Sequence, residues 1–176
     1  MLPQNQPRMG LYEWVLLFTL SALWGGSFFL AKVAVTEVPP LTLVFYRVVI
    51  AALALLIYLR FRGITIPGGR GVWRAFFIMG LINNVVPFSL LFWGQERMDA
   101  GLASILNATM PIFTVLVAHR FTADEQITSG KLIGVLLGFA GVAIMLGGGF
   151  SGSAAIPPVA MLAVLGAALS YAFASV

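Results

Sequence analysis

Six apolar stretches, each close to twenty residues, fill this chain, and only short loops separate them. A bilayer's hydrocarbon core is about 30 Å thick, so an α-helix needs roughly 20 apolar residues to cross it. The chain therefore reads as an all-α polytopic membrane helix bundle, with no room for a soluble domain. The spans are expected over Leu11–Val35, Leu41–Leu59, Ala75–Gly94, Gly101–His119, Glu125–Leu146 and Pro157–Val176. Composition agrees: 60% of the residues are hydrophobic and 9% are charged, whereas a soluble domain carries about 25% charged residues. The absence of cysteine removes disulfides, thiolate metal sites and thiol nucleophiles. His119 is the single histidine, so a multi-histidine site is excluded and no cofactor is implied. A net charge of +4 would point to nucleic acid in a soluble protein. Here it belongs to loops that fix orientation, and the bilayer, not nucleic acid, is the expected partner.

The linkers are Thr36–Pro40, Arg60–Arg74, Gln95–Ala100, Arg120–Asp124 and Gly147–Ile156. Loops this short force neighbouring spans to run antiparallel. Basic residues near span ends stay in the cytoplasm. Arg8 precedes the first span, Arg60, Arg62, Arg70 and Arg74 lie between spans two and three, and Arg120 and Lys131 lie between four and five. On the other side only Arg97 lies in a loop, beside Glu96 and Asp99. The expected topology is a multi-pass protein of a plasma membrane (the inner membrane in a bacterium), with a cytoplasmic amino terminus. Tyr12, Trp14, Tyr58 and Trp73 form a belt on that side and Trp93 sits at the other interface. A cleaved signal peptide does not fit the first span, whose apolar run is too long and is followed by no A-x-A-like site.

The Gly147–Ile156 linker, uncharged and Gly-rich, is the candidate boundary. Five is an odd number, so a homologous set of helices after residues 11–146 would enter the membrane from the opposite face. Inverted repeats of this kind build many secondary transporters. On this reading 147–156 is an external linker and 157–176 is the first helix of an inverted second repeat, cut short at Val176. Ala22-Leu23-Trp24 and Ala168-Leu169-Ser170-Tyr171 are a short trace of such repetition.

Span five carries Gly130, Gly134 and Gly138 at intervals of four, with Gly141 near, and Ala100, Ser104 and Ala108 give span four a similar stripe. Small residues at this spacing let helix backbones approach in lipid. Packing within the chain is the default for the glycine face, and a homodimer interface is the alternative. Thr122-Ala-Asp-Glu125 fits a capping box opening span five.

Polar groups inside the membrane are costly, so each is a functional candidate. Arg47 lies about 9 Å inside span two, where arginine costs roughly 2.5–3.5 kcal/mol on insertion scales. It either lines a cavity or snorkels outward. Lys32, nearer its span end, snorkels more easily. Asn83 and Asn84 lie roughly 14 Å past Arg74, near the midplane, and serve either interhelical hydrogen bonding or a ligand. Asn107 and Thr109 in span four present the same choice. Trp24 lies roughly 15 Å past Trp14, also near mid-depth. Gly25 and Gly26 follow it and permit a kink or close ligand approach, with Ser27 next. Pro87 and Pro111 break backbone hydrogen bonding at comparable depths, which lipid tolerates only where protein or a cavity satisfies the freed groups. Clustered at mid-depth, these features mark a central substrate pathway. No Asp or Glu lies deep in any span, so a carboxylate proton relay is not visible.

The chain resembles the EamA family of the drug/metabolite transporter superfamily over essentially its whole length. The resemblance rests on Trp24-Gly25-Gly26-Ser27-Phe28 followed by Lys32, on Pro40-Leu41 followed by Arg47, and on Ala100-Gly101-Leu102-Ala103-Ser104 followed by Pro111. Glu125, Ile127, Thr128, Gly134, Gly141 and Val142 add the fifth-helix spacing. Gln126 departs from the family's usual basic residue. The resemblance implies ten helices in two inverted five-helix repeats, with alternating access around a central cavity. It further implies a secondary transporter, an exporter of small organic metabolites such as amino acids. The expected substrate-binding residues are Trp24, Arg47, Asn83, Asn84, Asn107 and, from span six, Tyr171. A membrane-embedded enzyme is the competing reading, but His119, Asp124 and Glu125 come with no nucleophile or metal set. A structural subunit that transports nothing is the third reading, and the mid-membrane polar residues argue against it.

Overall fold

The computed structural model describes residues 10–122, 128–148 and 156–176. They fold as helices α1 (Leu11–Ala34), α2 (Pro40–Phe61), α3 (Arg70–Gly80), α4 (Val86–Gln95), α5 (Ala100–Asn107), α6 (Met110–Phe121), α7 (Ser129–Gly148) and α8 (Pro158–Ser175). A π-helical turn, Leu81–Val85, joins α3 to α4. Five helical segments are long and apolar enough to cross a membrane: Leu11–Ala34, Pro40–Phe61, Arg70–Gln95, Ala100–Phe121 and Pro158–Ser175. The expected span over Glu125–Leu146 is α7, whose described apolar stretch, Ser129–Gly141, is shorter. The third span starts well before Ala75, because Arg70 and Arg74 belong to the first turns of α3 and not to a loop.

Large apolar side chains stand open all along α1 and α2, Leu16, Phe29, Ile50 and Leu55 among them. In water so much contiguous apolar surface would drive aggregation. In a bilayer it is the ordinary lipid-facing surface, and the chain is a multi-pass membrane protein.

Local chemistry sets the helix ends. Glu13 accepts from the Gly10 backbone amide at 2.8 Å and holds the start of α1. Pro40 and Pro158 open α2 and α8, where a missing N–H costs nothing. At the end of α2, Gly63 takes φ +64°. Its amide bonds the Arg60 carbonyl and the Ile64 amide bonds that of Leu59, a Schellman closure that a residue without a Cβ makes easily.

The two mid-span prolines have different consequences. In span three the Val86 amide bonds the Leu81 carbonyl, five residues back. The Ile82 carbonyl would next take residue 87, but Pro87 has no N–H to give. Ser170 of α8 supplies the donor, its hydroxyl 2.7 Å from the Ile82 oxygen. In span four the helix interrupts at Ala108 and Thr109, four and three residues after Ser104 and Leu106, whose carbonyls accept from those two amides. The Thr109 hydroxyl returns to the Leu106 carbonyl at 2.7 Å. Gly25 and Gly26, which permit a kink, do not interrupt the helix: α1 runs through both. Every amide there finds its helical acceptor, and lipid offers no competing partner. A Cβ added at either glycine would meet nothing within 4 Å.

The core is built around α8. Ala160, Val164, Ala167, Ala168, Tyr171 and Ala172 form one buried stripe at helical spacing. It packs most closely on α4, then on α6 and α5. Gly94 makes this approach possible, since a Cβ there would fall 2.6 Å from Val164 Cγ2 and 3.1 Å from the Ala160 carbonyl. The glycine stripe of α7 is mostly open. Gly138 faces Ile112 of α6, whereas Gly130, Gly134 and Gly141 have nothing within 4 Å of an added Cβ. In α5 the buried positions are Leu102, Ala103, Leu106 and Asn107, so the Ala100–Ser104–Ala108 stripe is not the packed face. Glu125 of the expected capping box and most of the Gly-rich linker lie outside the described residues.

Candidate functional site

Two helix faces enclose a cavity of about 320 Å³. From α1 come Leu20, Trp24, Ser27, Phe28 and Ala31, a stripe three and four residues apart. From α4 come Phe88, Leu91, Phe92 and Gln95 at the same spacing. Arg47 of α2, Asn107 at the end of α5 and Tyr171 of α8 complete the wall.

Among the described residues no carboxylate pairs with Arg47. Its Nη1 donates to Ser27 Oγ at 3.0 Å. The guanidinium carbon lies 4.5 Å from the centre of the Phe88 ring and 5.8 Å from that of Phe92. The two rings are stacked at 5.8 Å, and Tyr171 meets Phe88 edge-on at 6.3 Å. A guanidinium over an aromatic face gains electrostatic attraction, more when water is excluded. It keeps most of its five N–H donors free for another partner. The site thus presents a positive charge against an aromatic wall.

Gln95 is fully buried at the far end of that wall. Its Nε2 donates to the Phe28 carbonyl at 3.1 Å, which fixes the amide: a flip would set oxygen against oxygen. Its Oε1 has no hydrogen-bond partner among the described residues. Asn107, 7% exposed, carries a second such oxygen, Oδ1.

Of the residues expected at the site, Trp24, Arg47, Asn107 and Tyr171 line this one cavity. Asn83 and Asn84 are not among its lining residues; Asn83 is exposed and Asn84 half-buried. The π turn explains the separation. Asn84 lies four residues before Phe88 and on a regular helix would share its face, but one extra residue per turn rotates it by about 100°. Lys32 does not line the cavity. Its Nζ donates to the Gln95 main-chain carbonyl at 2.6 Å, so it caps the carboxyl end of α4, where orphan carbonyls attract a cation.

Phe88, Phe92 and Gln95 were not anticipated. The sequence places Gln95 in a linker because Gln95-Glu96-Arg97 ends the apolar run. Its spacing from Leu91 and Phe92 is the signal that places it on their face.

A second, more open groove of about 520 Å³ adjoins the cavity between α1 and α2. It shares Leu23, Ser27, Ala31, Arg47 and Phe92 with the first and adds Gly26, Tyr46 and Ile50. Arg47 therefore stands where the cavity meets the lipid-facing side.

Residues 12–147 match the model of the EamA-like transporter family. The chain belongs to that family. As an EamA-family chain it is 33% identical over 164 residues to the uncharacterized inner membrane transporter YedA of Escherichia coli K12, covering 91% of this chain and 51% of the relative. It is 27% identical over 160 residues to the uncharacterized transporter YoaV of Bacillus subtilis, covering 91% and 54%. It is 31% identical over 137 residues to the WAT1-related chloroplastic protein At3g02690 of Arabidopsis thaliana, covering 76% and 32%. The chain thus spans about half the length of the first two. No solved structure matches it. The EamA match takes in Trp24, Arg47, Phe88, Phe92, Gln95 and Asn107, and ends before α8 and Tyr171.

Proposed function

We propose that this EamA-family chain forms the solute-binding part of a secondary transporter, an exporter of small organic metabolites such as amino acids. Residues 11–146 would be its first repeat and 157–176 the first helix of an inverted second one, with the amino terminus cytoplasmic and alternating access around the cavity. The carrying observation is Arg47, an intramembrane cation held by a hydroxyl and two aromatic rings, with no acid paired to it among the described residues. An arginine kept in the membrane at such cost, with free donors beside a cavity, suits an anionic group on a passing solute. Trp24, Phe88 and Tyr171 suit its apolar body. Family membership and the transporter names of relatives support the reading.

The test is transport by the full-length protein in proteoliposomes, with a radiolabelled panel of amino acids and organic acids. Arg47→Ala is expected to lower transport of the anionic and zwitterionic members by on the order of tenfold or more, as loss of a charge-assisted hydrogen bond does. Unchanged rates and affinities in this variant would remove Arg47 from the site.

A further inference from the structure

We propose that the arginine cluster at the α2–α3 connection docks the phosphodiester headgroup of an anionic phospholipid, phosphatidylglycerol for example, in the leaflet at that end of the bundle. Arg60 lies in the last turn of α2 and Arg62 directly follows the helix, while Arg70 opens α3 and Arg74 stands one turn on along the same face. All four are exposed. No acid occurs in the sequence from residue 38 to residue 95, and among the described residues none of the four arginines is in an ion pair. Arg60 has a local reason for its place, since the carbonyl end of a helix attracts a cation. Arg70 has none. It occupies the end of α3 where the helix dipole disfavours a cation, and no acid shares that first turn. Four like charges gathered about one connection repel one another unless an anion lies among them.

The neighbouring surface identifies the anion. Tyr58, Phe61 and Trp73 are exposed beside the arginines. The Arg62 guanidinium lies 6.0 Å from the centre of the Tyr58 ring, and Trp73 meets Phe76 edge-on at 6.0 Å, which continues the aromatic surface along α3. Tyr and Trp at a membrane boundary sit at headgroup level, so the arginines stand at the depth of lipid phosphates. A free anion would meet the charges and gain nothing from the rings, whereas a lipid brings phosphate and acyl chains together. The guanidinium fork matches phosphate oxygens two at a time, and basic clusters beside a membrane helix attract anionic lipid. A zwitterionic lipid carries its own cation and offsets none of the excess. Orientation asks only which side holds more basic residues; it does not require an acid-free cluster set among interfacial rings. Arg97 at the other end is the contrast, its charge met by Glu96 at 2.7 Å. None of the four arginines lines the cavity or the groove, so the docking is independent of the solute reading.

The experiment measures retention of radiolabelled phosphatidylglycerol by the purified full-length protein in detergent micelles, with unlabelled phosphatidylglycerol, phosphatidylcholine or inorganic phosphate as competitor. A micelle has no sides, so a change of topology in a variant cannot alter the result. Phosphatidylglycerol is expected to displace the label at concentrations at least about tenfold below those of phosphatidylcholine, with inorganic phosphate weaker still. The double variants Arg60→Gln/Arg62→Gln and Arg70→Gln/Arg74→Gln should each lose on the order of tenfold in phosphatidylglycerol affinity. Arg70→Lys/Arg74→Lys should fall between the parent and the glutamine pair, because it keeps the charge and gives up the fork. Arg97→Gln, at the other end, should bind as the parent does. Thermal unfolding without added lipid is the companion measurement; all four side chains of the cluster are exposed, so both double variants should unfold near the parent temperature. Equal displacement by phosphatidylcholine and phosphatidylglycerol would overturn the proposal. So would displacement by inorganic phosphate at the concentrations that suffice for phosphatidylglycerol, which would reduce the cluster to a site for free anions. Parent-like affinity in both double variants, or an equal loss in Arg97→Gln, would overturn it as well.

Discussion

Ser170 and Arg47 show how a single polar side chain is justified inside a membrane. Ser170 donates to the Ile82 carbonyl, an acceptor that Pro87 leaves without a helical donor. Ser170→Ala should lower stability by about 1 kcal/mol, since interhelical hydrogen bonds in lipid average about 0.6 kcal/mol and reach about 1.7. Reversible unfolding in mixed micelles measures it, and no loss would mean that the carbonyl finds another donor. Arg47→Lys keeps the charge but gives up the planar stack on Phe88 and the forked donor geometry. Its effect should lie between the parent and Arg47→Ala in solute affinity, with stability near the parent value; full activity would reduce Arg47 to a point charge. Lys32 and Arg47 looked alike in the sequence, two cations inside spans. Their fates differ because Lys32 meets the end of α4 and Arg47 meets its aromatic face. That distinction depends on how α1 and α2 are placed against α4, which no local pattern records.

At the scale of the helix, the apolar runs and the breaks near Pro87 and Pro111 were readable, because each follows from backbone hydrogen bonding that lipid cannot replace. What the pattern did not reveal is which small residues bear packing. The glycines of α7 repeat regularly yet three stand open, whereas solitary Gly94 sits against Val164 and Ala160. Close approach is a property of two helices, and only one was visible in each stripe. The contrast is testable. Gly94→Ala should destabilise by about 1–3 kcal/mol through overpacking, because both the stiff Val164 side chain and the Ala160 backbone oppose a Cβ. Gly134→Ala meets nothing and should be neutral or stabilising by up to about 1 kcal/mol from helix propensity. Thermal unfolding of the two variants side by side decides it, and equal losses would mean that the α7 face is covered. The π turn teaches the same lesson: Asn84 would face the cavity on a regular helix, and one added residue turns it aside.

For the whole molecule, the all-helical membrane class was legible because apolar length alone forces it, while the cavity was legible only in part. Trp24, Arg47 and Asn107 follow from depth and chemistry, and Tyr171 from its place in the repeat-like span six; Phe88, Phe92 and Gln95 needed the three-dimensional faces of α1 and α4. Orientation rests on charge. Arg60, Arg62, Arg70 and Arg74 all stand exposed around the α2–α3 connection. At the other end Arg97 lies on the Trp93 ring at 4.3 Å and pairs with Glu96 at 2.7 Å, its charge matched locally. An exposed pair of that kind adds little stability; the expected orientation rests on the excess of arginines at the α2–α3 connection over the single Arg97 at the other end. The chain contains no cysteine, so single thiols can report sidedness against a silent background. Ile64→Cys, in the arginine-rich connection, should react with a membrane-impermeant maleimide only after cells are permeabilised. Asp99→Cys, just before α5, should react in intact cells. The reverse pattern would invert the topology, and with it the face from which a solute first meets Arg47.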